Sequence, residues 1–234
     1  YGNKVPLKLR DIGMHGVIAA ALLAFAGIAF LQAITNTSVA ATTFTLGSLP
    51  FITAAMAWLF LGERIGKSTI FTMLAAASGI SLMFIQGLGS GSSYGNLMAF
   101  LCAIGFSGYT IVLRRNRSTE MLPALILSNL IIMGIVLMLR WDNISIPWSD
   151  LILCFVLGGL LSATVNTLFV IASKHLFAAE LTLFMLLEFT LGPIWVWIFV
   201  NEVLTNWTLI GGIIVILAVL VKSAAELWKV TPRS

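Results

Sequence analysis

The chain of 234 residues is 59% hydrophobic and only 9% charged, and its formal net charge at pH 7 is +4. Soluble domains carry about a quarter of their residues as charged side chains, so this composition excludes a soluble globular protein and indicates an integral membrane protein. No basic surface interleaved with aromatic residues exists outside the apolar segments, which argues against a nucleic-acid partner.

Eight apolar segments follow one another along the chain. Most approach the ~20 residues that an α-helix needs to cross the hydrocarbon core of a bilayer, and a helix closes its backbone hydrogen bonds within the segment. The sequence therefore predicts an all-α fold, a polytopic membrane helix bundle. Its eight transmembrane helices are predicted at Met14–Ile34, Ala40–Leu61, Ser68–Ile85, Gly95–Leu113, Leu122–Leu139, Trp148–Ser173, Ala178–Val200 and Trp207–Val221.

The basic residues define an orientation for these spans. If the N-terminal tail is cytoplasmic, Arg140 alone of the 13 Lys and Arg residues falls on the outer side. An excess of Lys and Arg in short cytoplasmic loops is the general rule for membrane helices. The pattern predicts that both termini of this chain are cytoplasmic and that the bundle is surrounded by the lipid bilayer.

An internal repeat relates the two halves of the chain. The segment Trp58–Glu63, with the pattern Trp-x-Phe-x-x-Glu, recurs as Trp197–Glu202 at a gapless spacing of 139 residues. The chain crosses the membrane five times between the two segments, so equivalent helices run in opposite directions. Inverted repeats of this kind are typical of secondary transporters, which alternate between two pseudo-symmetric conformations.

The same two regions resemble a known family. The stretch Leu49–Arg64 resembles the end-of-helix signature of EamA-type transporters in the drug/metabolite transporter superfamily. The stretch Leu187–Glu202 is similar to the second copy of that signature, although Pro193 stands four residues beyond the register of Pro50. The resemblance covers essentially the whole chain and implies two inverted five-helix repeats with both termini cytoplasmic.

The resemblance also implies a division of the chain. The eight spans correspond to helices 3 to 10 of the ten-helix pattern, so we expect a fragment that lacks the first two helices. The expected parts are a cytoplasmic tail at 1–13, a partial first repeat at 14–86, a second repeat at 95–226 and a second cytoplasmic tail at 227–234.

Glu188 is the ionisable residue that stands out at membrane depth. It lies near the middle of the seventh span, and Trp195 shares its helical face seven residues later. Charged groups at this depth are costly and usually functional, so Glu188 is a candidate for carrying a proton or binding a cationic or amino group of the cargo. A structural hydrogen bond to a neighbouring helix is the alternative. Trp195 is a candidate aromatic wall for the cargo, or a residue that packs against lipid.

Polar, uncharged residues form a second group of candidates for substrate binding. Thr42, Thr45 and Ser48 recur every three positions along the second span, which the resemblance places beside a central cavity. Hydroxyl groups in helices also bond to their own backbone carbonyls, so a purely local role is the alternative. Amides at membrane depth must find partners in another helix or in the cargo. The remaining candidates are Tyr109, Asn129 and Asn166.

Three further glutamates lie near the ends of spans. We expect Glu180 either to be solvated at the cytoplasmic end or to line the entrance. Glu63 and Glu202 are expected to cap a helix, contact a turn or form an ion pair with the start of the next helix.

These observations predict a secondary transporter of small organic solutes in a bacterial inner membrane. Every Lys and Arg lies at a span end or in a loop, which disfavours phosphorylated cargo and favours amino acids, neutral metabolites or lipophilic cations. Export and proton or cation coupling are implied by the resemblance alone. An intramembrane enzyme and a non-transporting sensor or assembly subunit are the alternatives. The sequence predicts no catalytic residue, cofactor or metal site, and it does not determine the oligomeric state.

Overall fold

A computed structural model describes residues 13–37, 39–84, 92–140, 147–200 and 206–230. These residues form helices and no strand, which confirms the predicted all-α membrane helix bundle. The α-helices are α1 (Gly13–Asn36), α2 (Val39–Leu46), α3 (Leu49–Leu61), α4 (Lys67–Phe84), α5 (Ser93–Arg115), α6 (Leu122–Arg140), α7 (Trp148–Cys154), α8 (Ala163–Ser173), α9 (Ala178–Val200) and α10 (Asn206–Val230), with a π-helical segment at Phe155–Ser162 between α7 and α8.

Each of the eight predicted spans corresponds to one helix or to helices joined end to end. Within the described residues, five stretches are long and apolar enough to cross a membrane as helix. They are Gly13–Asn36, Ala41–Leu61, Ser93–Arg115, Leu122–Leu139 and Trp148–Ser173. The remaining predicted spans form α4, α9 and α10.

The second span is interrupted by a turn at Gly47 and Ser48, which separates α2 from α3. Pro50, in the first turn of α3, has no N–H to donate to the carbonyl group four residues earlier, so the hydrogen-bond ladder cannot continue across it. The Ser48 hydroxyl donates to the carbonyl oxygen of Thr45 at 2.6 Å and satisfies part of the end of α2.

The sixth span runs continuously through α7, the π-helical segment and α8. Every side chain from Trp148 to Val165 is exposed. An apolar helix that is exposed on all sides suits contact with lipid chains or with further apolar helices. The buried part of this span is confined to the end of α8, where Val170 and Ser173 pack into the bundle.

Small residues bring α1 and α5 together. A Cβ atom built at Gly105 of α5 would lie 2.8 Å from Cδ1 of Phe25 on α1. Small side chains let membrane helices approach closely. The buried residues of α1 are accordingly Gly16, Ala19, Ala20, Ala24, Ala26, Ala29 and Ala33.

The helices α4 and α10 pack directly against each other. They are equivalents in the repeat, since Thr69 and Thr208 are 139 residues apart. A Cβ atom built at Gly79 would lie 2.6 Å from the carbonyl oxygen of Gly211 and 2.8 Å from Cγ2 of Val215. The core around this crossing joins both halves of the chain through α3, α4, α9 and α10. It contains Ala54, Met73, Ala76, Ile80, Ala179, Leu183, Leu186, Val215 and Val219.

Candidate functional site

A cavity of about 330 Å³ lies beside the turn between α2 and α3, and we call it the helix-break cavity. Residues of α2, α3, α4, α5 and the turn line it, and all of them are uncharged. The cavity therefore presents aromatic faces and hydroxyl groups to a ligand, without a fixed charge. The lining residues are Phe44, Thr45, Gly47, Ser48, Phe51, Ala77, Ile80, Ser81 and Phe100.

The hydroxyl groups on the wall of this cavity donate their protons to the backbone. Thr45 Oγ1 donates to the carbonyl oxygen of Ala41 at 2.9 Å, and Ser81 Oγ donates to that of Ala77 at 2.8 Å. Ser48 donates to the Thr45 carbonyl in the same way. These hydroxyls thus form the hydrogen bonds to their own helix backbone that the sequence offers as an alternative to substrate binding. Their oxygen lone pairs remain able to accept, so the wall favours a ligand that carries N–H or O–H donors.

Two of the predicted residues lie in the packed interior. Thr42 is 1% exposed and Tyr109 is fully buried, and neither lines the helix-break cavity. The Tyr109 ring packs edge-on against Phe106 at 5.7 Å and stacks on Phe169 at 6.1 Å between ring centroids. Its hydroxyl has no hydrogen-bond partner among the described residues. The structure thus places Tyr109 in an aromatic core that joins α5 to α8.

The structure brings Asn129 and Asn166 together. Both line a second cavity of about 270 Å³ between α1, α6, the π-helical segment and α8, which we call the asparagine cavity. Asn166 Nδ2 donates to the carbonyl oxygen of Ser162 at 2.8 Å, and Ser162 and Ser128 also line this cavity. Sequence position alone related each asparagine to the end of its own span and did not pair them.

Arg114 connects the end of α5 to two loops, the one between α3 and α4 and the one between α8 and α9. Arg114 Nε donates to Glu63 Oε1 at 2.9 Å, and the two side chains are 8% and 18% exposed. Arg114 also donates to the carbonyl oxygen of Lys174 at 3.4 Å and lies 5.1 Å above the ring of Phe177. Glu63 therefore forms an ion pair, but with the end of α5 and not with the start of the next helix, α4, as expected.

A second ion pair lies at the same end of the bundle. Lys222 Nζ donates to Glu180 Oε1 at 2.8 Å, and the side chains are 6% and 11% exposed. Of the two alternatives expected for Glu180, solvation is wrong, because α10 continues to Val230 and Lys222 on this helix pairs with the carboxylate. Glu180, Lys222 and Glu63 all line one cavity of about 230 Å³, which we call the charged cavity.

Comparison with protein families decides the class of this chain. A model of the EamA-like transporter family matches residues 2–85 and 93–224. The chain belongs to the EamA-like transporter family. The predicted membership of the drug/metabolite transporter superfamily is confirmed, and each matched region contains one copy of the Trp-x-Phe-x-x-Glu pattern. The chain is thus a membrane protein of a family of small-solute transporters.

Solved structures agree with this EamA-like assignment at the level of the fold. A crystal structure described simply as that of a protein is similar with a TM-score of 0.71 and 16% sequence identity. The similarity covers 91% of this chain and 77% of that chain. A search of curated proteins finds no match.

In this EamA-like transporter, Glu188 lies apart from both cavities that contain predicted residues. Its side chain is exposed on α9, whereas the neighbouring Phe184 and Leu187 pack against the core between α3, α4 and α10. The side chain of Trp195 lies outside the described part of the chain. The helix-break cavity, the asparagine cavity and Glu188 are therefore three separate locations.

The sequence does not predict the charged cavity, because its ion pair joins residues that are far apart along the chain. Lys222 lies one residue beyond Val221, the predicted end of the eighth span. No Gly or Pro occurs between Lys222 and Val230, which is a signal that the helix continues. That signal places Lys222 on a helix but does not reveal Glu180 as its partner, 42 residues earlier.

Proposed function

We propose that this EamA-like transporter is a secondary carrier that exports small organic solutes by alternating access. Its cargo consists of amino acids, neutral metabolites or lipophilic cations. The observation that carries this proposal is the helix-break cavity, since irregular backbone at membrane depth is tolerated where it lines a cavity and is common at transporter binding sites. Thr45 and Ser48 contribute its binding wall.

The lining of the cavity supports this class of cargo. Phe44, Phe51 and Phe100 offer aromatic faces, and a cation over such a ring is stabilised by about 0.5–2 kcal/mol. The hydroxyl oxygens accept hydrogen bonds from ammonium or amide N–H groups. None of the lining residues is basic, so a phosphate group would find no counter-charge there. We therefore retain phosphate-free cargo as the proposed class.

The packing of the repeats supports alternating access. The equivalent helices α4 and α10 cross closely at Gly79 and Gly211. In this proposal the two halves rock against each other about this contact. In this proposal the moving halves are 14–86 and 95–226, and both termini of this chain face the cytoplasm of a bacterial cell.

Glu188 supplies the proposed coupling to a proton or cation gradient. Its repeat equivalent is Leu49, so this position of the repeat carries a carboxylate in the second half only. An exposed carboxylate in the middle of a span has a high free-energy cost in lipid, and binding a proton or a cation lowers this cost. Trp195, Tyr109, Asn129 and Asn166 remain candidates for contact with cargo during the cycle.

Transport in proteoliposomes tests the proposal. The purified chain is reconstituted with an imposed pH gradient, and flux of labelled amino acids and organic cations is measured for the wild type and for Glu188→Gln. The matched control is Asp150→Asn, which removes an exposed carboxylate in the first turn of α7. We expect gradient-driven flux in the wild type and control, and at least a tenfold loss in Glu188→Gln.

The outcomes separate the parts of the proposal. Equal flux in Glu188→Gln and the wild type would remove Glu188 from the mechanism. Replacement of Phe51 by Ala tests the cavity, because it removes one aromatic wall and should reduce the flux of cations more than that of small neutral solutes. No flux of any of these solutes in the wild type would contradict the proposed class of cargo.

A further inference from the structure

The ion pair between Glu180 and Lys222 lies on the wall of a cavity. The two side chains are nearly buried, with 11% and 6% exposed, and the Oε1 to Nζ distance is 2.8 Å. Both residues line the charged cavity of about 230 Å³, together with Glu63 and Arg64 from the loop between α3 and α4. The contact is therefore adjacent to space that a small ligand can occupy.

The partners of this ion pair come from two helices of the second half. Glu180 is in the first turn of α9, and Lys222 is on α10. A buried ion pair contributes little net stability, because removing two charges from water costs about as much as their attraction returns. Packing alone therefore gives no reason for a carboxylate and an ammonium group at this position.

The repeat has no second copy of this pair. The residues 139 positions before Glu180 and Lys222 are Ala41 and Met83, so the equivalent positions in the first half cannot form this ion pair. At the other end of α1, a described polar contact is neutral: Thr37 Oγ1, one residue beyond the helix, donates to Asn96 Oδ1 of α5 at 3.0 Å. The repeat-equivalent positions, Ala41 and Met83, therefore offer no carboxylate that could hold a cation.

We propose that the Glu180 carboxylate binds an organic ammonium group of the cargo, and that the Lys222 ammonium occupies this position when cargo is absent. A primary ammonium carries the same charge and the same three N–H donors as Lys222 Nζ, so the exchange preserves the charge-assisted hydrogen bond. The displaced Lys222 ammonium stays in the charged cavity, whose lining also includes Glu63, the partner of Arg114. This inference rests on the proposed function and narrows its cargo to solutes with an amino group.

A binding measurement on the purified chain in detergent tests the exchange. The probe is n-butylammonium, with n-butanol as the uncharged control, and binding is followed by the rise in unfolding temperature with ligand concentration. Because Lys222→Met removes the internal competitor, we expect its Kd for n-butylammonium to be at least tenfold lower than that of the wild type. The matched control is Lys67→Met, which removes an exposed lysine at the start of α4. This variant should bind n-butylammonium as the wild type does.

A folded Lys222→Met protein whose Kd for n-butylammonium is not lower than that of the wild type would overturn the proposal. An unchanged Kd in Glu180→Gln would overturn it as well. If Lys222→Met does not fold, the double variant Glu180→Gln, Lys222→Met removes both charges. We expect at least a tenfold loss of amine flux from that variant in proteoliposomes, and unchanged flux would overturn the proposal.

Different outcomes contradict the proposed function and this inference. Wild-type proteoliposomes without flux of any amino acid or organic cation would contradict the proposed function. Flux in the wild type that persists in Glu180→Gln would contradict the ammonium site alone.

Discussion

The crossing of α4 and α10 makes a strong prediction about Gly79. A Cβ atom at this position would lie 2.6 Å from the Gly211 carbonyl oxygen, which is about 0.7 Å short of the ~3.3 Å at which carbon and carbonyl oxygen meet. The nearest atoms belong to backbone and to Val215, so the helices must separate. Overpacking of this kind costs roughly 1–3 kcal/mol, and the higher helix propensity of Ala offsets about 0.5–1 kcal/mol. We expect Gly79→Ala to destabilise the bundle by about 1–2 kcal/mol.

Thermal unfolding in detergent measures this effect. A loss of about 1–2 kcal/mol corresponds to a fall in Tm of roughly 2–8 °C for a chain of this size. The control is Gly134→Ala on the exposed face of α6, where a Cβ atom meets nothing within 4 Å. We expect the control to keep or slightly raise the Tm. Equal Tm values for the two variants would refute the close crossing of α4 and α10.

Two other contacts between distant segments make predictions about stability. Thr53 Oγ1 donates to Ser107 Oγ at 2.9 Å between α3 and α5, with both residues fully buried. Because such bonds between membrane helices contribute about 0.6 kcal/mol on average, a double-mutant cycle of Thr53→Val and Ser107→Ala should give a coupling energy near that value, and additive effects would contradict the bond. Glu63→Gln should lower stability by about 1–3 kcal/mol, because it leaves the Arg114 guanidinium without its carboxylate at a site that is only partly solvated. The double variant Glu63→Gln, Arg114→Met should recover part of this loss in thermal unfolding, whereas a further loss would show that the two residues act separately.

Most of the fold could be predicted from the sequence, because bilayer thickness sets the length of an apolar span. The seventh span was predicted at Ala178–Val200 and forms a helix with the same bounds. The fifth was predicted at Leu122–Leu139, and α6 ends one residue later. Pro50 lies inside the second predicted span, and the structure locates an interruption of that span just before it, at Gly47 and Ser48.

The candidate sites were less accessible to sequence reasoning. Ionisable residues at membrane depth can be recognised one at a time, as Glu188 was, because each is unfavourable in lipid. The partner of an ionisable residue cannot be recognised in this way, because Lys222 and Glu180 come into contact only through the packing of α10 against α9. Asn129 and Asn166 likewise share a cavity because α6 and α8 are neighbours in the bundle.

The sequence by itself determined that this chain is a helical membrane protein with an internal repeat, and the Trp-x-Phe-x-x-Glu pattern was enough to indicate its family. Hydrophobic length and repeat spacing are local or linear properties, so they can be read along the chain. The tertiary structure alone decided which side chains share a cavity and which charges are paired. Those relations depend on helix rotation and crossing, which arise from packing between segments that are far apart in the sequence.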